Sequence, residues 1–347
     1  MQPIGGHLEA ALSDSNSDTK KINGQLDRLS VLVSSLKMAA PRSASQPNLV
    51  LSLVSQCWPF FEQIVQRFGS ENKCAEKLCR LYKHTLRSVK HEFEPLLSAL
   101  MQQLAAAFEH TFRSSYLYCA SICVTEFSNK AEYAEPLFGL IGALSQSAFK
   151  RFNSVEGFTN NPDVVEEYFY LCSRMINYCS KPIMSSDLLG EMVRCAIVGM
   201  QVHHRDANKG VLNFLENVAG FIALKGAECT EAEKRGVERA IAASGEGVVG
   251  GICKALMGDS PLFYLDVGSG SLAGVLFKLM QLCPQMMEGW LNSGFQKAQS
   301  VGTESLREPL VRGISGCGGN RAELNRVVRG FHDECWRVKR NQSGGGQ

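Results

Sequence analysis

What most constrains this chain is a recurrence. Apolar residues spaced three and four apart fill runs of about 12–22 residues, short turns break the runs, and a helix pair returns roughly every 40–45 residues. Ile22, Leu26, Leu29, Val33 and Leu36 set the pattern in the first run. It continues over 48–68, 72–90, 95–110, 111–127, 133–152, 163–179, 186–200, 206–224, 230–257, 272–282, 285–295 and 322–340. Alternation at period two is almost absent, so the chain is expected to be all-α. A pair period of this length belongs to a helical solenoid, in which each pair buries its apolar faces against its neighbours. Punctuation supports the boundaries: Pro41 to Pro47 separates the first two runs, Asn160-Asn161-Pro162 starts another, and a Gly-rich connection is expected over Gly313 to Gly319. Pro59 is expected to kink the helix that carries it.

Composition narrows the partners. The apolar fraction of 45% is enough for an extended core, and the net charge of +2 is far below that of a protein that coats nucleic acid. Thirteen cysteines, an odd number, sit inside apolar helical patterns, as expected of reduced thiols in the cytoplasm or nucleus. No 7–15-residue apolar run follows a basic start and no stretch reaches about 18 apolar residues, so neither secretion nor a membrane span is expected.

Positive charge gathers in two stretches, and Arg321 to Arg340, with Arg321, Arg326, Arg329, Arg337, Lys339 and Arg340 beside the apolar Phe331 and Trp336, is expected to be a solvated terminal cap. Asn72 to Lys90, NKCAEKLCRLYKHTLRSVK, reads as one helix with two opposite faces. At 100° per residue, Lys73, Lys77, Arg80, His84 and Arg87 fall inside an arc of roughly 80°, with Lys83 on its flank. Cys74, Ala75, Leu78, Cys79, Leu81, Tyr82, Leu86 and Val89 hold the other side. Surface helices usually mix signs at i,i+4, yet only Glu76 interrupts this row. The row is about 21 Å long, which matches six or seven residues of extended peptide. An acidic ligand is the simplest partner, and phosphoserine suits it because each phosphate carries about −1.5 to −2 charges. Gly69 and Ser70 are expected to end the preceding helix and cap this one.

Other motifs compete for a chemical role. PLFYLDVGSGSLAG, Pro261 to Gly274, resembles the strand and glycine loop that cradle a nucleotide or S-adenosylmethionine, with Asp266, Gly268, Gly270 and Gly274 in the loop. Such a loop needs a parallel sheet, and the flanking sequence is helical, so a turn between solenoid helices is the expected role. The cysteine spacings four, five and seven apart are those of a buried helix face, C-x-x-C and H-E-x-x-H are absent, and neither a metal nor a catalytic residue is expected. In His203-His204-Arg205-Asp206-Ala207-Asn208, Asp206 is expected to cap a helix and Arg205 to pair with a carboxylate of an adjacent repeat. Phosphate binding at that helix start is the alternative.

Several stretches together resemble a known family. GQLDRLSVLV at Gly24, the Trp58-Pro59 helix, the basic helix, NPDVVEEYF at Asn161, HRDAN at His204 with FLENV after it, and WLN at Trp290 resemble, in order, the C-terminal third of the transportin-SR type of importin-β receptors. The resemblance implies a right-handed HEAT-repeat superhelix of antiparallel helix pairs over 20–340. It also implies a flexible tail at 1–19 and a disordered one at 341–347. The family carries Arg/Ser-rich, commonly phosphorylated, splicing factors into the nucleus, on an arginine-rich inner helix. Carried over, that helix places cargo on Lys73, Lys77, Arg80, Lys83 and Arg87, with lysine at several positions where the family favours arginine. The implied protein is a karyopherin shuttling between cytoplasm and nucleus, without catalysis, cofactor, membrane contact or direct nucleic-acid binding. Ran GTPase is a partner of the whole family, through N-terminal repeats that precede the matching region. A nucleotide- or S-adenosylmethionine-binding enzyme and a generic helical scaffold stand as the alternatives.

Overall fold

The computed structural model describes residues 2–13, 19–36, 48–259, 271–298 and 304–344. Among them there is no strand; helices joined by short turns account for the fold, a helical-repeat solenoid. The chain divides into two compact units, Met1–Ala148 and Phe149–Gln347.

The first unit contains α1 (Gln2–Ser13), α2 (Thr19–Leu36), α3 (Leu49–Phe68), α4 (Asn72–Val89), α5 (Glu94–Thr111) and α6 (Ser114–Phe127), and α7 (Ala134–Arg151) leads out of it. Its helices form two layers. One holds α2, α4 and α6, the other α1, α3 and α5. The α4 and α6 helices run parallel, since Lys83 meets Tyr118 and, further along both, Arg87 approaches Glu126; Lys77 meets Asp27 across α2 and α4. Offsets near the pair period are what a repeat stack requires. The α4 helix lies closely along both α2 and α6, whereas α3 meets α1 and α5 more loosely.

Between the layers sits an aromatic cluster. The Tyr82 ring packs 5.7 Å from Trp58 and 5.8 Å from Phe61, and its hydroxyl donates to Gln103 Oε1 at 2.5 Å. Asn48 caps α3 by accepting from the Val50 and Leu51 amides. Pro59 lies on the exposed side of α3, where its missing N–H leaves a carbonyl to solvent, and the helix continues through it.

Two expectations about this unit are corrected. Residues 2–13, read as part of a tail, form α1, because Leu8, Ala11 and Leu12 recur on one face and are buried. The N-cap of α4 is Glu71, not Ser70, and its side chain makes no capping bond. The turn is held from outside instead: the Tyr116 hydroxyl donates to the Gly69 carbonyl at 3.1 Å and Arg113 Nε to that of Ser70 at 2.9 Å. A Cβ at Gly69 would stand 2.9 Å from the Tyr116 hydroxyl, so the glycine serves this close approach.

The second unit contains α8 (Val155–Thr159), α9 (Pro162–Tyr178), α10 (Ser180–Met184), α11 (Leu188–Gly199) and α12 (Arg205–Lys225). It continues with α13 (Glu231–Lys254, extended by a π-helical turn Ala255–Asp259), α14 (Leu272–Leu282), α15 (Pro284–Lys297), α16 (Glu304–Gly316) and α17 (Arg321–Gly344). Helices α9, α12, α14 and α17 follow one another in one layer, and α11, α13 and α15 in the other. Thr230 and Glu233 form a capping box at the start of α13, and the buried Glu233 also accepts from Ser180 Oγ at 2.7 Å. By length and composition α13 with its extension is apolar enough to cross a membrane, although no run of 18 apolar residues was apparent. Its most apolar window is 61% buried inside the unit, so it is packed as a core helix. The Gly313 to Gly319 stretch also differs from expectation. Leu310 and Ile314 are buried, which carries α16 to Gly316, and only 317–319 form the turn, with Gly318 and Gly319 at positive φ. The α17 helix reaches Gly344, into the segment expected to be disordered, and residues 345–347 lie outside the described residues.

Candidate functional site

The two faces of α4 are sorted as the 100° periodicity dictates. Cys74, Ala75, Leu78, Cys79, Leu81, Tyr82, Leu86 and Val89 are all buried, while Lys73, Arg80 and Arg87 are exposed and Lys77, Lys83 and His84 are half-buried. The structure therefore brings all five candidate residues onto one surface. It also sorts them into a ridge and two flanks. On the α2 side Lys77 is ion-paired with Asp27. On the α6 side Arg87 Nε lies 3.8 Å from Glu126, and Lys83 Nζ stands 5.5 Å from the centre of the Tyr118 ring, a cation–π distance. Lys73 and Arg80 form the ridge, and neither has an acidic partner among the described residues. Glu76, the lone acid of the helix, is held by Asn72 Nδ2 at 3.0 Å. The α4 surface thus presents two uncommitted cations, flanked by cations that are already paired or stacked.

Asp27, Tyr118 and Glu126 had not been singled out in the sequence. Nothing local marks them, since they stand on other helices. The pair period of 40–45 residues does not find them either, because Asp27 stands 50 residues before Lys77 and Glu126 39 after Arg87.

The competing motifs resolve differently. Asp266, Gly268 and Gly270 lie outside the described residues. Gly274 is inside α14, where Ser271 Oγ caps the helix by accepting from its amide at 3.0 Å. A Cβ there would meet Glu216 Oε2 at 2.5 Å and Arg321 Nη2 at 2.7 Å. Those two residues are themselves paired at 2.9 Å across α12 and α17, so Gly274 leaves room for an inter-repeat ion pair. At HRDAN the cap of α12 is His204, whose Nδ1 accepts from the Ala207 amide at 3.3 Å. Asp206 falls one position inside the helix, where its charge still favours the dipole. Burial, then the nearby Asp206 carboxylate, push the Glu166 carboxyl above the ordinary glutamate range. That acidic surrounding opposes the alternative of a phosphate at this helix start. Asn208 is buried and donates to the Met200 carbonyl at 3.1 Å, an anchoring role.

Of the thirteen cysteines, all but the half-buried Cys283 are buried. Desolvation pushes the Cys74 and Cys253 thiols up to about 12, which keeps these two protonated and unreactive. Among the described residues no three His, Cys, Asp or Glu side chains are grouped to hold a metal ion.

Fold and surface together define a helical-repeat protein with a cationic helix in its first unit, in one layer with α2 and α6. Residues 48–152, which include α4, match the family model described as the Transportin-3/Importin-13 fourth TPR domain. Transportin MOS14 of Arabidopsis thaliana is 24% identical over 60% of this chain and 21% of its own length, and Importin-13 of Rattus norvegicus is 18% identical over 72% of this chain and 24% of its own. A solved structure of importin-13 in its cytosolic state superposes with a TM-score of 0.78 at 19% identity, covering 94% of this chain and 37% of the other. The chain is thus similar to parts of an importin and a transportin, and it spans about a quarter of the length of these curated proteins.

Proposed function

We propose that this chain is the cargo-binding portion of a nuclear import receptor, and that the α4 ridge holds an Arg/Ser-rich, phosphorylated segment of its cargo. The observation that carries this reading is the pair Lys73 and Arg80, exposed and without acidic partners among the described residues, on the one-signed face of α4. An unphosphorylated Arg/Ser segment is itself cationic and is repelled by such a ridge. Phosphorylation reverses its sign and adds strong acceptor oxygens, which Arg80 can grip bidentately and Lys73 as a point charge. Shuttling between cytoplasm and nucleus, and a link to Ran GTPase through the whole receptor, belong to the same proposal and rest on the importin and transportin relatives.

The test is a titration of a phosphorylated Arg/Ser peptide against the wild-type chain and a variant with Lys73, Lys77, Arg80 and Arg87 all changed to Glu. Binding is expected in the wild type, weakening as salt rises, and loss of binding in the variant. Equal affinities would refute the assignment.

A further inference from the structure

Resting on the reading of α4 as a phosphopeptide-binding face, we infer that Asp27 and Glu126 read the arginines of the bound segment. They make the site selective for alternating arginine and phosphoserine rather than for acidity alone.

The placement of these two carboxylates is the starting point. Asp27 stands on α2 and Glu126 on α6, on opposite flanks of the ridge, with side-chain exposures of 47% and 22%. Each engages one cation of α4. A surface built only to attract anions gains nothing from acids beside its cations, because each one cancels attraction at close range. A surface that receives both signs in alternation needs both.

Exchange of partners explains how such a ligand seats. Before binding, Lys77 is satisfied by Asp27 and Arg87 by Glu126. On binding, a cargo guanidinium takes the carboxylate, bidentately, and a cargo phosphate takes the released lysine or arginine. Every charge is paired before and after. Each pair given up has one partner about half exposed, Asp27 in one and Arg87 in the other, so solvent screens it, and the exchange replaces it with a pair of the same kind. A segment of the same charge without alternation must break these pairs and offers nothing to Asp27 or Glu126 in return. The spacing agrees. Lys77 and Arg87 stand about 15 Å apart along the helix, and four residues of extended chain cover about 13–14 Å. Arginines four residues apart, two Arg-Ser dipeptides, point to one side of an extended chain and match the axial separation of the two pairs, and their long side chains reach outward from the ridge to the flanks.

Two eight-residue peptides of identical composition and net charge isolate this effect: the alternating (Arg-pSer)4 and a block peptide of four arginines followed by four phosphoserines. Fluorescence polarisation of both is measured on the full chain, wild type and Asp27→Asn/Glu126→Gln, with melting curves to establish that the variant folds. The wild type is expected to prefer the alternating peptide by about 4- to 25-fold, the product of two solvent-screened pairs at roughly two- to fivefold each. In the variant that preference should vanish while both peptides still bind. A change in both affinities by one common factor would show that the carboxylates only set net charge, and would overturn the inference while leaving the α4 reading intact. Failure of the wild type to bind either peptide would overturn both.

Discussion

Replacing Arg80 by alanine should damage phosphopeptide binding far more than replacing Lys77, although the two lie on the same face of α4. Arg80 is exposed and has no carboxylate partner among the described residues, so its guanidinium is available at once. A hydrogen bond to a charged group contributes about 1.5–3 kcal/mol, and about 1.4 kcal/mol is tenfold in affinity. Arg80→Ala is therefore expected to weaken binding by roughly 10- to 100-fold. Lys77 must first give up Asp27, which is about half exposed and so screened to a pairing of about 1 kcal/mol, and its own side chain is only 15% exposed. Lys77→Ala should cost no more than about fivefold. Neither substitution removes apolar packing from the buried face, so both proteins should melt within a few degrees of wild type. Fluorescence anisotropy with a labelled phosphorylated Arg/Ser peptide, at one fixed salt concentration, gives both numbers. Equal losses, or a larger loss for Lys77→Ala, would refute the division into ridge and flanks.

Three further outcomes follow from packing and protonation. Gly236 lies where an added Cβ would stand 1.6 Å from the Met184 carbonyl oxygen, so Gly236→Ala should destabilise the second unit by about 3 kcal/mol or more, read from urea denaturation. Burial, reinforced by the adjacent Glu166 carboxylate, pushes the Glu167 carboxyl up from about 4.5 to about 7. Because the folded state holds this proton more tightly than the unfolded chain, stability falls as pH rises from 4.5 toward 7 and is flat above. Glu167→Gln should thus match wild type near pH 4 and grow steadily more stable than it up to neutrality, in a series of urea midpoints. Twelve buried cysteines and one half-buried one predict that a thiol reagent titrates about one group, Cys283, in the native protein and all thirteen after unfolding.

How far the sequence could be read follows from where each determinant lies. The faces of α4 are set by residues on a single helix, and an 80° arc of one sign against a wall of Leu, Cys and Tyr needs no tertiary knowledge. The flanks are a different matter. Lys77 and Arg87 look identical to Arg80 in the sequence, and only the register of the neighbouring helices separates them. The caps also escaped local reading, because Tyr116 and Arg113, from α6, hold the Gly69-Ser70 turn in place of a capping side chain. The α1 helix was hidden by its length, since three buried residues in twelve make too short a pattern to stand against a polar, Gly-containing composition. At Gly313 to Gly319 propensity argued for a loop, and burial of Leu310 and Ile314 overrode it for the first half. Gly274 gave a false signal for the same kind of reason. It is small to admit Glu216 and Arg321, a cause that looks no different in sequence from a phosphate-binding loop.

The most direct measurement is photo-crosslinking of a phosphorylated Arg/Ser peptide, with a photoreactive residue at each position in turn, followed by mass spectrometry of the modified chain. The account predicts crosslinks on the exposed face of α4 and on the facing residues of α2 and α6, competed away by unlabelled phosphopeptide and lost on dephosphorylation. Competable crosslinks confined to the second unit, with none on α4, would contradict it.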